Sequence, residues 1–501
     1  MNKQIEKIKN YFSLKQMKKE IYGYGYTMSG VKYILLVLLS VAVTIGFSFL
    51  YQMKIGFTII VATVFICIIP LIIRAKFINL YQKKRFNEVD IYLHQMVYSF
   101  QKKPKILTAL EDTAKVSTGR LKATLEKAID NLYNSSSENI YEETFAIIEK
   151  EYNNSRIKAL NKYMINIENN GGEYSESINI MLVDIDSWIN RTYIEQADVE
   201  NVKKTNMIGL LISFVMGSIC SIFSLFLNSR EDMSIAVKGS IADDITYQIG
   251  CLVFLIVSIV FFAYTQTGYN RDWVSKTLNK KTVMKDYQKA TEFNPNRLRV
   301  LSIPIYIFFA ILGIIVLFIN TIPYRIPIAI GLFIFDIYLI VSPDIQKKGA
   351  ITRTKKNIQE SFSEWLRDVS LNLQKEPLLS AIQDTYEECP VVLKPELEIF
   401  LKRIEENPSD VEPYYEFLAR FHILDISSAI RNLYSISDNT DIDMEKQLNS
   451  LIERNYKIID KSEVISTEDR SAVLHFSENV PIIVAAVKLG VDMLALLSIL
   501  L

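Results

Sequence analysis

The chain has 501 residues, half of them hydrophobic, and its 56 basic and 56 acidic side chains cancel to a formal charge of zero. That length and apolarity exclude one ordinary soluble domain, and the zero balance excludes whole-chain charge as a guide to nucleic acid or any other partner. Of the four cysteines, Cys67, Cys220 and Cys251 lie in apolar runs and Cys389 stands alone, which gives neither a disulfide framework nor a metal-ligand spacing.

Residues 1–30 are polar and lysine-rich, with Ile5, Ile8, Phe12 and Met17 on one helical face. They read as a basic amphipathic helix lying on an anionic membrane surface. The segment is too long and too charged for the start of a signal peptide, and no small-residue cleavage site follows, so it is expected to be retained. Apolar runs then come in pairs, at 34–50 with 57–73, 207–227 with 249–264, and 300–319 with 326–341, and a last run occupies 482–501. Each is about as long as a helix needs to cross roughly 30 Å of hydrocarbon, the first two being the shortest. The expected fold is an all-α polytopic membrane protein with seven transmembrane helices: pairs over 31–73, 207–265 and 300–341, a basic link over 266–299, and a single helix over 482–501. Lysine and arginine fall on one side of this count, at 3–32, 74–85, 203–204, 271–299 and 347–356. The positive-inside rule then places the amino terminus and both large polar segments in the cytoplasm, with the carboxyl terminus outside.

Those two segments, 86–202 and 358–460, are helical by pattern. In the first, Ile157, Leu160, Met164 and Ile167 recur at three- and four-residue steps, Asn169-Asn170-Gly171-Gly172 interrupts, and Ile178, Leu182, Ile185 and Ile189 resume. This predicts two amphipathic helices joined by a tight turn, in which glycine accepts a positive φ at no steric cost. The pattern recurs: Ile426, Leu433, Ile436 and Asn439 stand 269 positions after Ile157, Met164, Ile167 and Asn170. Gln101-Lys102-Lys103-Pro104 likewise reads against Gln374-Lys375-Glu376-Pro377, which argues for an internal duplication. Both segments carry more acidic than basic residues, a solvated surface or a docking face for a basic partner.

A search for catalytic constellations finds none. No Gly-x4-Gly-Lys-Ser/Thr loop and no Gly-x-Ser-x-Gly elbow occurs, and His94, His422 and His475 lack partners at metal-ligand spacing. His94 reads as a satisfied boundary residue of its helix. The chain is expected to have no enzymatic activity, no cofactor and no metal. Three charges fall inside apolar runs: Asp336, and Lys488 with Asp492 four residues later on the same helical face. An isolated charge at that depth costs on the order of 3 kcal/mol, so the three are expected to converge. They would then glue helices, or line the ion path of a transporter. An intramembrane aspartyl protease is disfavoured, because Val491 separates Gly490 from Asp492 where such enzymes have glycine directly before the aspartate.

A pair of spans, then a helical lobe whose last hairpin turns at Gly-Gly, then a helix ending in arginine, then another pair of spans resembles the F-domain family of type II secretion. The platform proteins of tight-adherence (Tad, or Flp) pili form the nearest branch, with the archaeal flagellar relatives beside them. The residues that carry the resemblance are Gly171, Gly172, Ile178, Leu182, Ile185, Ile189 and Arg191, with Asn170 opening the turn. Two departures are visible: Lys103-Pro104 stands where the family has a glycine, and Asp438-Asn439-Thr440-Asp441 replaces Gly-Gly in the second lobe. The second lobe is therefore expected to be a diverged copy. The resemblance implies two cytoplasmic F-domain lobes in a platform of the cell membrane that works with a hexameric secretion ATPase and pilin-like subunits. It implies contact with lipid, no nucleic acid, compatibility with a homo-oligomer, and a role for the intramembrane charges in meeting a pilin's transmembrane segment.

Overall fold

The computed structural model describes residues 11–135, 137, 139–171, 175–228, 241–275, 280–318, 325–373, 376–407, 410–438 and 444–500. Among them the regular structure is entirely helical. Helix α1 (Leu14–Gly23) begins at Ser13, whose hydroxyl caps the Gln16 N–H. Its Met17 and Ile21 are buried against Ile69 and Ile73 of α3 (Ile55–Lys102), and Glu20 pairs with Arg74 at 2.7 Å. Of the face read as lying on lipid, Met17 is thus covered by another helix of the same chain and Phe12 is exposed, while Ile5 and Ile8 lie outside the described residues.

Helix α2 (Gly30–Leu50) packs on the apolar part of α3, which continues through Pro70 for 48 residues. Then come α4 (Ile106–Val116), α5 (Gly119–Asn134), α6 (Ile140–Glu151) and α7 (Ser155–Asn170). Their buried residues and the polar half of α3 form a core around Phe86, Leu93, Phe100, Leu125, Phe145 and Met164. Helix α8 (Ser175–Asn228) closes that bundle with Ile178 and Ile185 and runs on into the next apolar stretch as one helix of 54 residues. At 1.5 Å per residue it is about 80 Å long.

After α9 (Ile245–Thr267) the architecture repeats. In order come α10 (Lys280–Thr291), α11 (Pro295–Phe318), α12 (Arg325–Asn372), α13 (Leu378–Tyr386), α14 (Lys394–Glu406), α15 (Glu412–Glu416), α16 (Leu424–Asp438), α17 (Met444–Phe476) and α18 (Val480–Leu500). Helix α12 has the same 48 residues as α3, and α17 joins α18 through one 3-10 turn, Ser477–Asn479, as the counterpart of α8. A second core gathers around Phe362, Trp365, Leu366, Phe400, Ile430 and Leu433. Only α9 has no counterpart among the described helices.

Among the described residues seven helices are long and apolar enough to cross a membrane. The hydropathy boundaries near 73, 207 and 341 are not backbone boundaries, because α3, α8 and α12 pass through them unbroken. The apolar helices do not form one cluster of seven. Helices α3, α8, α9 and α18 pack together, whereas α11 and the apolar half of α12 pack on each other.

Candidate functional site: an ionic seam between the halves

The turn singled out in sequence is built as expected at Gly171, which follows Asn170 at the end of α7. Gly171 has φ +69° and ψ −156°, a region open essentially to glycine alone, and its N–H donates to the Ile167 carbonyl at 2.8 Å. A Cβ built there meets no atom within 4 Å, so the demand is one of backbone and not of space. Gly172 and the Asn439–Asp441 stretch of the second half lie outside the described residues. Arg191 does not belong to this turn, since sixteen positions along α8 from Ser175 carry it about 24 Å from the helix start.

Arg191 instead reaches the second half. Its guanidinium donates to Asp460 Oδ1 at 2.6 Å and to Glu463 Oε2 at 2.8 Å, both on α17. Beside it, Arg156 at the start of α7 makes a bidentate pair with Asp184, at 2.7 and 2.9 Å, and extends to Glu463 at 3.3 Å. Burial alone would lower the Arg156 pKa, but Asp184 and Glu463 overcome it and hold the group well above its usual value. The Trp188 ring lies 5.0 Å from the Arg156 guanidinium. One helical turn further, Glu195 accepts from Arg271 at 2.5 Å and faces Arg470 at 3.3 Å. Burial and the neighbouring Arg470 bring Arg271 down to about 10, against the pull of Glu195.

The seam continues along α8 as Asp198 meets Ser471 and His475, Asn206 meets Ser477, and the Ser213 hydroxyl donates to the Pro481 carbonyl at 2.6 Å. A cleft of about 540 Å³ opens within it, walled by Arg156, Trp188, Arg271, Trp273, Arg367 and Glu463 among others. Sequence reading missed Arg156, Asp184 and Glu463. The available signal was Asp184 itself, which stands in register with Met181, Ile185 and Trp188 on a buried face, where an unpaired charge is not tolerated.

The intramembrane charges are placed differently from expectation. Lys488 and Asp492 form an ion pair with both side chains fully buried, and the Lys488 ammonium lies 4.8 Å from the Tyr247 ring and 5.2 Å from that of Tyr51. The Tyr247 hydroxyl contacts Ser221 and donates to the Tyr51 carbonyl at 3.2 Å, which ties α9, α8 and the α2–α3 turn to the pair. Asp336 does not join them. It sits on α12, one carboxylate oxygen buried without a hydrogen-bond partner, and α12 packs on α11 while α18 packs on α8 and α9. The expected cluster of three is a pair and a separate acid.

His94 is held between two carboxylates, its ring nitrogens 2.7 Å from Asp90 Oδ1 and 2.7 Å from Asp186 Oδ1. The hydrogen bond to Asp90, with a smaller contribution from Asp186, raises its pKa to about 9 against the effect of burial. The imidazolium thus clips α3 to α8 as a satisfied boundary residue. Among the described residues no group of histidine, cysteine and acidic side chains has the geometry to hold a metal ion. Comparison with family models, with curated proteins and with solved structures finds no match to this chain.

Proposed function

We propose that this chain is the membrane platform of a type II secretion or Tad-like pilus assembly machine, coupling a cytoplasmic hexameric ATPase to the extraction and polymerisation of pilin-like subunits. The observation that carries the reading is the continuity of α3, α8 and α12, and of α17 with α18 through a single 3-10 turn, from packed polar bundles into membrane-length apolar segments. A push on a bundle is passed along a hydrogen-bonded rod, with no loop at the boundary to absorb it. In this reading the amino terminus and both bundles face the cytoplasm, where basic residues concentrate, and the ATPase works on the bundles. The pilin-like subunits meet the apolar helices, Asp336 offers them a carboxylate within the bilayer, and the chain performs no bond chemistry of its own.

Deleting the gene and restoring it on a plasmid tests this directly. The expected result is loss of surface filaments or exported protein, with pilin-like subunits retained in the membrane fraction and complementation by the plasmid. Filaments and exported proteins unchanged by the deletion would refute it. Sidedness is tested by cysteines at Asp243 and Asn139: an impermeant thiol reagent applied to intact cells should label the first and spare the second.

A further inference from the structure

The contacts that join the two bundles are not reciprocal. They run from α7 and α8 of the first half to α12, α13 and α17 of the second: Arg156 and Arg191 reach Glu463 and Asp460, and Lys162 lies 3.0 Å from Glu388 just beyond α13. A two-fold relation would require matching contacts from α16 and α17 back to α3, α4 and α8. The counterparts instead stay at home. Asp425, in the place of Arg156, pairs with Lys461 at 3.2 Å, and Lys461 itself stands in the place of Arg191. Arg431, in the place of Lys162, lies over Tyr415 at 4.7 Å. Tyr193, in the place of Glu463, donates to Asp90 at 2.8 Å within its own half. The contact is therefore heterologous, and each half keeps one face free.

The seam also fixes how the halves are related. Arg191 meets Asp460, Asp198 meets Ser471, Asn206 meets Ser477 and Ser213 meets Pro481, so partners along α8 and α17–α18 differ by about 270 positions, as the halves themselves do. Equivalent residues meet at the same height on parallel rods. The operation that carries one half onto the other is then a rotation about an axis along the rods with no climb. Repeated, such a step stays in one plane and closes into a ring where the angle permits.

We propose that copies of this chain join head to tail through their free faces, the α16–α17 face of one seating on the α3–α4–α8 face of the next. The new contact repeats the one between the halves. On α16 and α17, Arg431, Lys457 and Lys461 are exposed, the two lysines paired with Glu453 and Asp425 on the same face. On α3 and α8, Ile91, Tyr98 and Tyr193 are exposed beside Asp90 and Asp186, which hold His94 between them, a largely apolar and aromatic surface that no described residue covers. This assembly follows from the fold alone and does not depend on what the chain exports.

The repeat assigns the pairs: Lys461 should face Asn190, and Arg431 should face Val116, all four exposed. In a chain freed of its native cysteines, Asn190→Cys and Lys461→Cys are placed on differently tagged copies and treated in native membranes with a short bis-maleimide. A mixed dimer is expected, with no dimer from either variant alone, and the double variant should give closed oligomers or a ladder. The Val116→Cys with Arg431→Cys pair should behave likewise. Lys162→Cys with Glu388→Cys, which should link within one chain, reports that the fold and reagent are sound. With that control positive, absence of the mixed dimer overturns the proposal, as does a dimer from Asn190→Cys alone, which would mark a two-fold interface.

Discussion

The two apolar hairpins occupy the same place in the repeat, yet only one is built into the rest of the protein. Helix α3 of the first hairpin packs on α9, and the turn between α2 and α3 delivers Tyr51 to the Lys488–Asp492 pair, where its hydroxyl donates to the Phe214 carbonyl at 3.0 Å. The second hairpin, α11 with α12, has no α9 to lean on, shows most of its apolar surface, and holds Asp336 with an unpartnered oxygen. Equal sequence patterns have thus been given different work: one hairpin supports a buried ion pair, and the other is left available.

The largest effect expected from this contrast is at Lys488. Lys488→Met strands the Asp492 carboxylate in a dry site, at a cost of about 3 to 5 kcal/mol, and membrane abundance should collapse. Lys488→Met with Asp492→Asn should restore abundance, while Asp336→Asn alone should leave it unchanged. Immunoblots of membrane fractions decide, and a fall with Asp336→Asn would show that the second hairpin is as integrated as the first. The same logic applies to the bundles. Arg156→Met leaves Asp184 without its cation, while Glu463 keeps Arg191, and should cost about 3 kcal/mol, read as a lowered melting temperature. Asp425→Asn, its counterpart on a half-exposed surface pair, should cost under about 1 kcal/mol.

Next comes the turn. Gly171→Val imposes a β-branched residue on a glycine-only backbone region and should cost roughly 1 to 3 kcal/mol, whereas the open space around it predicts no clash. Gly171→Ala should therefore be nearly as harmful as valine, and a mild alanine with a severe valine would assign the effect to crowding. The smallest effect concerns pH. Since His94 rises from about 6.5 in the unfolded chain to about 9 when folded, its contribution is fully present below about pH 6.5. It is lost as pH rises through about 9, and partial exposure limits it to about 1 to 2 kcal/mol. Thermal melts from pH 6 to 10 should show this decline, and His94→Leu should flatten it.

Much of the fold was legible because it rests on local periodicity. The helices on either side of the turn at 171–174, the apolar runs and the 269-residue offset all follow from side-chain spacing, and the described helices carry the same order of elements in both halves. What was not legible depends on which helices become neighbours. Hydropathy marked α12 and α18 as equally apolar and so brought Asp336 to Lys488, but it says nothing of the order in which apolar helices pack. The Arg156–Glu463 contact spans 307 positions and no spacing rule reaches it. The amphipathic face of α1 was visible, but whether lipid or α3 covers such a face is a tertiary fact.

Among the described α-helices α9 is the one without a duplicate, and its consequence is one of parity. Among the described residues each half contributes three helices long enough to cross a membrane, an odd number, so if each does cross, a bare tandem duplication would deliver the second copy upside down. In the proposed topology α9 would be one additional crossing between the copies, turning the chain over again before α10. The two bundles can then stand on the same side with α8 and α17 running in the same direction, as the same-height seam requires. Removing 245–267 would therefore do more than shorten the protein: it would change a parallel repeat into an inverted one.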